Sequence, residues 1–175
     1  QVWTISPGGM DDHPGLYRIE VNEGPGSGVK VLNKPIPPAF RESVSFSEAN
    51  LNTRSVHLVG DKDPRQHEFT IQLRAFDTSK SGAKLGVSVL IALCTALLKK
   101  SVRGGLIVVG EINLGGSIET LHNPINIAEI AIEKGATSLL MPVACRRQLF
   151  ELSDDMATKL DIQFYLDARE ALLKA

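Results

Sequence analysis

The sequence predicts an α/β domain, and three observations carry that expectation. Gly105-Leu106-Ile107-Val108-Val109 is a short continuous apolar run opened by glycine, the pattern of a strand buried on both faces. Strand-like and helix-like patterns then alternate through the second half of the chain. At 175 residues and 43% hydrophobic content, the chain is long enough to bury one sizeable core.

Taken in order, Val2-Trp3-Thr4-Ile5, Leu16 to Val21 and Val29-Lys30-Val31-Leu32 are apolar runs separated by Gly, Pro and Asp clusters, which reads as a series of β-hairpins. Gly24-Pro25-Gly26-Ser27-Gly28 lacks the Gly-Lys-Ser/Thr ending of a phosphate loop and reads as a turn between strands. After Pro35-Ile36-Pro37-Pro38, a helix is expected over Ala39 to Val59, with Phe40, Val44, Leu51 and Val56 as its periodic apolar positions. Glu68 to Phe76 alternates polar and apolar residues, the mark of a half-buried strand. A helix follows from about Ala83 to Lys99, with a strand at Asn113 to Glu119 behind the buried Gly105–Val109 strand. Pro124 at a first turn and Gly135 past the end bracket a helix from Pro124 to Lys134. A strand at Thr137 to Met141, a helix at Ala144 to Leu152, a strand at Ile162 to Tyr165 and a last helix capped by Asp167 complete the pattern.

Nineteen basic against 20 acidic residues give a net charge of −1, so no global electrostatic case exists for nucleic acid or a membrane surface. Cys94 and Cys145 read as buried thiols of a reducing compartment, and the cytoplasm is the expected location. No stretch reaches the roughly 18 uninterrupted apolar residues of a membrane span. The chain starts at Gln1 and stops within a helical pattern, so residues 1–175 are expected to be one domain cut from a longer protein.

Thr78-Ser79-Lys80-Ser81-Gly82-Ala83-Lys84-Leu85-Gly86 runs into the apolar segment Val87 to Leu98, placing a glycine-flanked turn where a helix starts. Backbone N–H groups point outward at such a turn and favour a nucleophile or an anion. Ser81 and Lys84 are three residues apart and share a face, a spacing that lets an amine take a hydroxyl proton. The same residues also read as a serine N-cap beside a lysine that is solvated or paired to a carboxylate such as Glu111.

With these elements in place, Trp3-Thr4, Gly8-Gly9, Ile19-Glu20, Gly110-Glu111-Ile112, Gly116 and Met141-Pro142 carry a resemblance to the proteolytic domain of Lon-type ATP-dependent proteases along nearly the whole chain. Gly110-Glu111-Ile112-x-Leu114-x-Gly116 is the most specific block. Pro35 to Glu42, Ser79-Lys80-Ser81-Gly82 and Gly104 to Gly110 further resemble the C-terminal Lon-like domain of BREX phage-defence AAA+ proteins. The resemblance implies the Lon proteolytic-domain fold, with N-terminal β-hairpins beside a mixed sheet flanked by helices. Lon-type proteases pair a serine at a helix start with a desolvated lysine on a later helix. Registering Gly82-x-x-x-Gly86 on the serine motif puts Lys84 at the nucleophile position and Ile127 at the base position, while Val109 replaces a helper threonine.

The resemblance therefore implies a degenerate Lon-like domain serving as scaffold and oligomerisation module of an AAA+ phage-defence protein. ATP and Mg would be held by the AAA+ module of the same chain, since residues 1–175 hold no Gly-x-x-x-x-Gly-Lys-Ser/Thr and imply no cofactor of their own. A homo-oligomeric ring is the implied assembly. The alternative is an ATP-dependent serine peptidase with Ser81 as nucleophile and Lys84 as base. Direct DNA contact is a third reading, through Lys99-Lys100, Arg103 and Arg146-Arg147. His122, beside Asn123, is a weaker base candidate, and His13 with Asp11-Asp12, or His57 with Asp61 and Asp63, match no metal spacing.

Overall fold

A computed structural model describes residues 1–7, 14–76, 84–119, 121, 123–151 and 158–175. The α/β expectation holds: a seven-stranded mixed sheet is flanked by helices. Its strands are β1 (Val2–Ser6), β2 (Gly15–Pro25), β3 (Gly28–Val31), β4 (His67–Ala75), β5 (Leu106–Val108), β8 (Ser138–Pro142) and β9 (Asp161–Tyr165), in the order β3-β4-β2-β1-β5-β8-β9. β6 (Glu111–Ile112) and β7 (Ile118–Glu119) form a separate hairpin. The helices are α1 (Pro38–Thr53), α2 (Ser55–Val59), α3 (Gly86–Leu98), α4 (Pro124–Glu133) and α5 (Ala168–Lys174).

Strand alternation sends residues to two cores. Val2, Val108 and Leu140 join Tyr17, Ile19, Phe69 and Ile71 in a layer under α1, α3 and α5. Ile5, Ile107, Val109, Leu139 and Met141 join Ile127, Ala128 and Ala131 of α4 on the other face. β5 and β8 are buried on both faces, which is why their sequences read as unbroken apolar runs. α3 is apolar nearly all round because it lies between the sheet and α1 and α5.

Several elements depart from expectation. β1 and β2 form a hairpin that lies within the sheet itself, but β2 and β3 do not pair, because β4 runs between them. The Gly24–Gly28 bend carries the chain across the start of β4, so Glu68 faces Gly24 on one side and Gly28 on the other. Gly26, with φ of 133°, adopts a conformation that favours glycine, and a Cβ there would lie 2.8 Å from Glu68 Oε2.

The helix expected over Ala39 to Val59 breaks at Arg54, whose φ and ψ of −117° and 27° leave the helical region. From this position the Arg54 guanidinium donates to Gly115 O at 2.7 Å. Val56 is consequently 77% exposed instead of belonging to the apolar face. Residues 113–117 are not strand but the turn between β6 and β7, closed by Asn113 N–H to Ser117 O and Gly116 N–H to Asn113 O, both at 3.0 Å. The positive φ of Gly116, 88°, makes that turn. The helix expected at Ala144–Leu152 is a 3₁₀ segment over Val143–Glu151; only Cys145 is fully buried between Val143 and Leu149, too little packing to hold an α-helix. Leu152 lies outside the described residues.

Candidate functional site

α3 begins at Gly86, five residues beyond Ser81, with Leu85 at the N-cap position and no side-chain cap. Ser81 lies outside the described residues, as do Asp11, Asp12, His13 and His122. In place of a capping serine, the start of α3 is held by a buried polar stripe on α1. Ser43 Oγ accepts from Leu85 N–H at 3.3 Å and donates to Glu111 Oε2 at 2.9 Å. Ser47 Oγ lies 2.6 Å from Gly86 O, to which it donates, and 2.8 Å from Ser43 O. Asn50 Nδ2 donates to Asn113 O at 2.9 Å, tying the stripe to the β6–β7 turn.

Glu111 is the centre of this arrangement. Its side chain is buried, and Ile112 N–H donates to Oε1 at 2.9 Å. Burial raises its carboxyl above the ordinary value of 4.5, against the opposing pull of Ile112 N–H, Ser43 Oγ and the Lys84 charge; the facing Glu119 adds to the rise. Gly86 is required beside it, because a Cβ at that position would overlap Glu111 Oε1.

Lys84 adopts φ of 61° and sends Nζ to Glu119 Oε2 at 3.3 Å, with the two side chains 50% and 42% exposed. The carboxylate partner anticipated for Lys84 is thus Glu119, which sits directly across the hairpin from Glu111. Ile127, at the position registered to the family's base, is buried in the apolar layer with Ala128, Val109 and Cys145. Val109 is buried beside it and offers only its backbone: Val109 O accepts from Tyr165 Oη at 2.6 Å. Gly110, with φ of 141°, leaves the space that the Tyr165 hydroxyl occupies.

Both cysteines are buried and free. Burial pushes the Cys94 thiol up to about 12 and raises that of Cys145, although an N–H from Leu121 opposes the second shift. The basic residues do not form one surface. Lys99, Lys100 and Arg103 precede β5, whereas Arg146 and Arg147 follow the parallel β8, so the two clusters lie at opposite ends of those strands. Among the described residues no group of three or more His, Cys, Asp or Glu side chains is placed to hold a metal ion, His57, Asp61 and Asp63 included.

The stretch that carries this geometry, from α1 to the start of the 3₁₀ segment, is matched at residues 40–145 by the family model ChlI, described as subunit ChlI of Mg-chelatase. That match covers more than half of the chain. The chain belongs to the ChlI family. Homologues named for Lon also cover nearly all of this ChlI-family chain. The Lon-like protease BrxL of Escherichia coli O9:H4 is 26% identical over 166 residues, 92% of this chain and 23% of that relative. BrxL of Bacillus cereus is 28% identical over 170 residues, 92% of this chain and 24% of the relative. A Lon protease of Methylocella silvestris is 28% identical over 176 residues, 99% of this chain and 21% of the relative. The Lon resemblance read from the motifs is therefore met by Lon-named homologues, and the chain spans under a quarter of the length of these three curated relatives.

Sequence reasoning found Glu111, Lys84 and Ile127 but missed Ser43, Ser47, Asn50 and Arg54. Their spacing of four, three and four residues is itself a helical stripe, of small polar residues and one arginine instead of apolar ones. Among the described residues no helix is long and apolar enough to cross a membrane.

Proposed function

We propose that this chain is a Lon-like domain that has kept the protease fold and given up its chemistry, and that it serves as the scaffold and oligomerisation module of a longer AAA+ phage-defence protein in the cytoplasm. The observation that carries the reading is the pair of replacements at the registered positions. Ile127 is buried among apolar side chains and holds no proton. Lys84 is half-exposed and ion-paired with Glu119, the reverse of the desolvated setting in which an amine acts as a base. The polar groups around the helix start are turned inward: Ser43, Ser47 and Glu111 bond to one another or to backbone, which fits a structural latch.

On this reading ATP and Mg belong to the AAA+ module, and the domain holds copies of the protein together in a homo-oligomeric ring. DNA, if contacted, would meet the assembled protein instead of one basic face of this domain. The relatives named as proteases make the Ser81–Lys84 peptidase the competing reading. Mass photometry of the intact protein, with and without this domain, tests the assembly role. A homo-oligomer that falls to monomers on deletion of the domain is expected; an assembly of unchanged mass after deletion contradicts the proposal.

A further inference from the structure

A cleft of 290 Å³ opens between the α1–α2 break, the β6–β7 turn and the start of α5, with Leu58, Leu90 and Ile112 at its floor. Its walls carry two guanidiniums and an imidazole. Arg54, His57 and Arg169 line it. Arg54 Nη1 donates to Asn50 Oδ1 at 2.8 Å and Nη2 to Gly115 O at 2.7 Å, so both acceptors are neutral. The guanidinium lies over Gly116, where a Cβ would come within 2.8 Å of it. Among the described residues neither Arg54 nor Arg169 nor His57 has an ion-pair partner. Asp167 adds one carboxylate to the lining, where it accepts from Glu170 N–H at 2.8 Å, so two guanidiniums face a single acid. A half-buried guanidinium held by two neutral acceptors and without a direct ion pair favours a carboxylate ligand. Val56 and Leu166, each next in sequence to a lining residue, and Leu114, between the lining residues Ile112 and Gly116, are 77%, 67% and 62% exposed.

The complementary surface is on α4, in the opposite layer of the molecule. Glu129 and Glu133 are exposed, lie one helical turn apart and repel each other, and among the described residues neither has an ion-pair partner. Helical spacing flanks them with Ile125 and Ile132, both half-buried, an apolar border to match the rim of the cleft. Unlike surfaces on opposite sides of one chain make a heterologous contact, which closes into a ring when the rotation permits.

We infer that the Arg54–His57–Arg169 cleft is the socket for the Glu129–Glu133 face of α4 on a second copy of this chain, an inference that rests on the assembly role proposed above. The contact is carried by charge and bordered by apolar residues. It brings the α1–α2 break and the β6–β7 hairpin of one protomer against the helix that covers the second core of its neighbour.

Charge reversal in the intact protein, read by sedimentation velocity, tests it. Arg169→Glu alters an exposed side chain, and the paired variant Glu129→Arg with Glu133→Arg alters only the surface of α4; circular dichroism melts confirm that both fold. Each is expected to weaken association about tenfold, and combining them is expected to restore it to within about threefold of wild type. Half-variants that assemble as tightly as wild type, or a combined variant no better than either half, overturn the inference while leaving the assembly role standing. A wild-type protein that is monomeric overturns both.

Discussion

Burying one carboxylate between Ser43, Gly86 and Ile112 ties stability to pH. The native fold holds the Glu111 proton more tightly than the unfolded chain does, since its carboxyl is raised above 4.5 by burial. The resulting stabilisation is fully present below that ordinary value and is lost as pH rises through the higher native value, where the buried group must charge. Glu111→Gln keeps an acceptor for Ile112 N–H and gains a donor toward Ser43 Oγ, without a charge to desolvate. Urea midpoints measured from about pH 4 to 8 are therefore expected to fall less steeply with pH in this variant than in wild type. Parallel curves, with the variant uniformly weaker, would mean that the ionised carboxylate is stabilising where it stands.

At the scale of elements, Tyr165 at the end of β9 locks the sheet to the turn that delivers Glu111. Its hydroxyl is buried and donates to Val109 O at 2.6 Å. Tyr165→Phe leaves that carbonyl without its partner and is expected to cost about 1–3 kcal/mol in urea unfolding. A loss within about 0.5 kcal/mol would show the bond to be dispensable. The same scale separates what could be read in the sequence from what could not. β5, β8 and α4 were legible because glycine and proline punctuate apolar runs whose period matches the structure. The α1–α2 break was not, because neither Gly nor Pro punctuates the sequence at Arg54, and its side chain bonds to a carbonyl 61 residues away. Nor was the parallel pairing of β3 with β4, since it depends on a strand contributed more than 30 residues later. At the site, Glu111 stood out in the Gly110-Glu111-Ile112 block, and Ile127 is the buried apolar residue that its helical spacing suggests. The Ser43–Ser47–Asn50 stripe was visible as spacing, but only the tertiary contact with Glu111 and Gly86 gives it a role.

For the whole molecule, two apolar layers on a seven-stranded sheet position a polar latch at the start of α3. Ile127 completes the second core, and Lys84 forms a surface ion pair with Glu119. The most direct measurement is hydrolysis of a fluorogenic peptide and of an unfolded protein by the intact protein, supplied with ATP and Mg, beside its Ser81→Ala and Lys84→Ala variants. The account predicts no turnover above the no-enzyme rate in any of the three, with all three assembling alike. Turnover by the wild type that either substitution abolishes would contradict it.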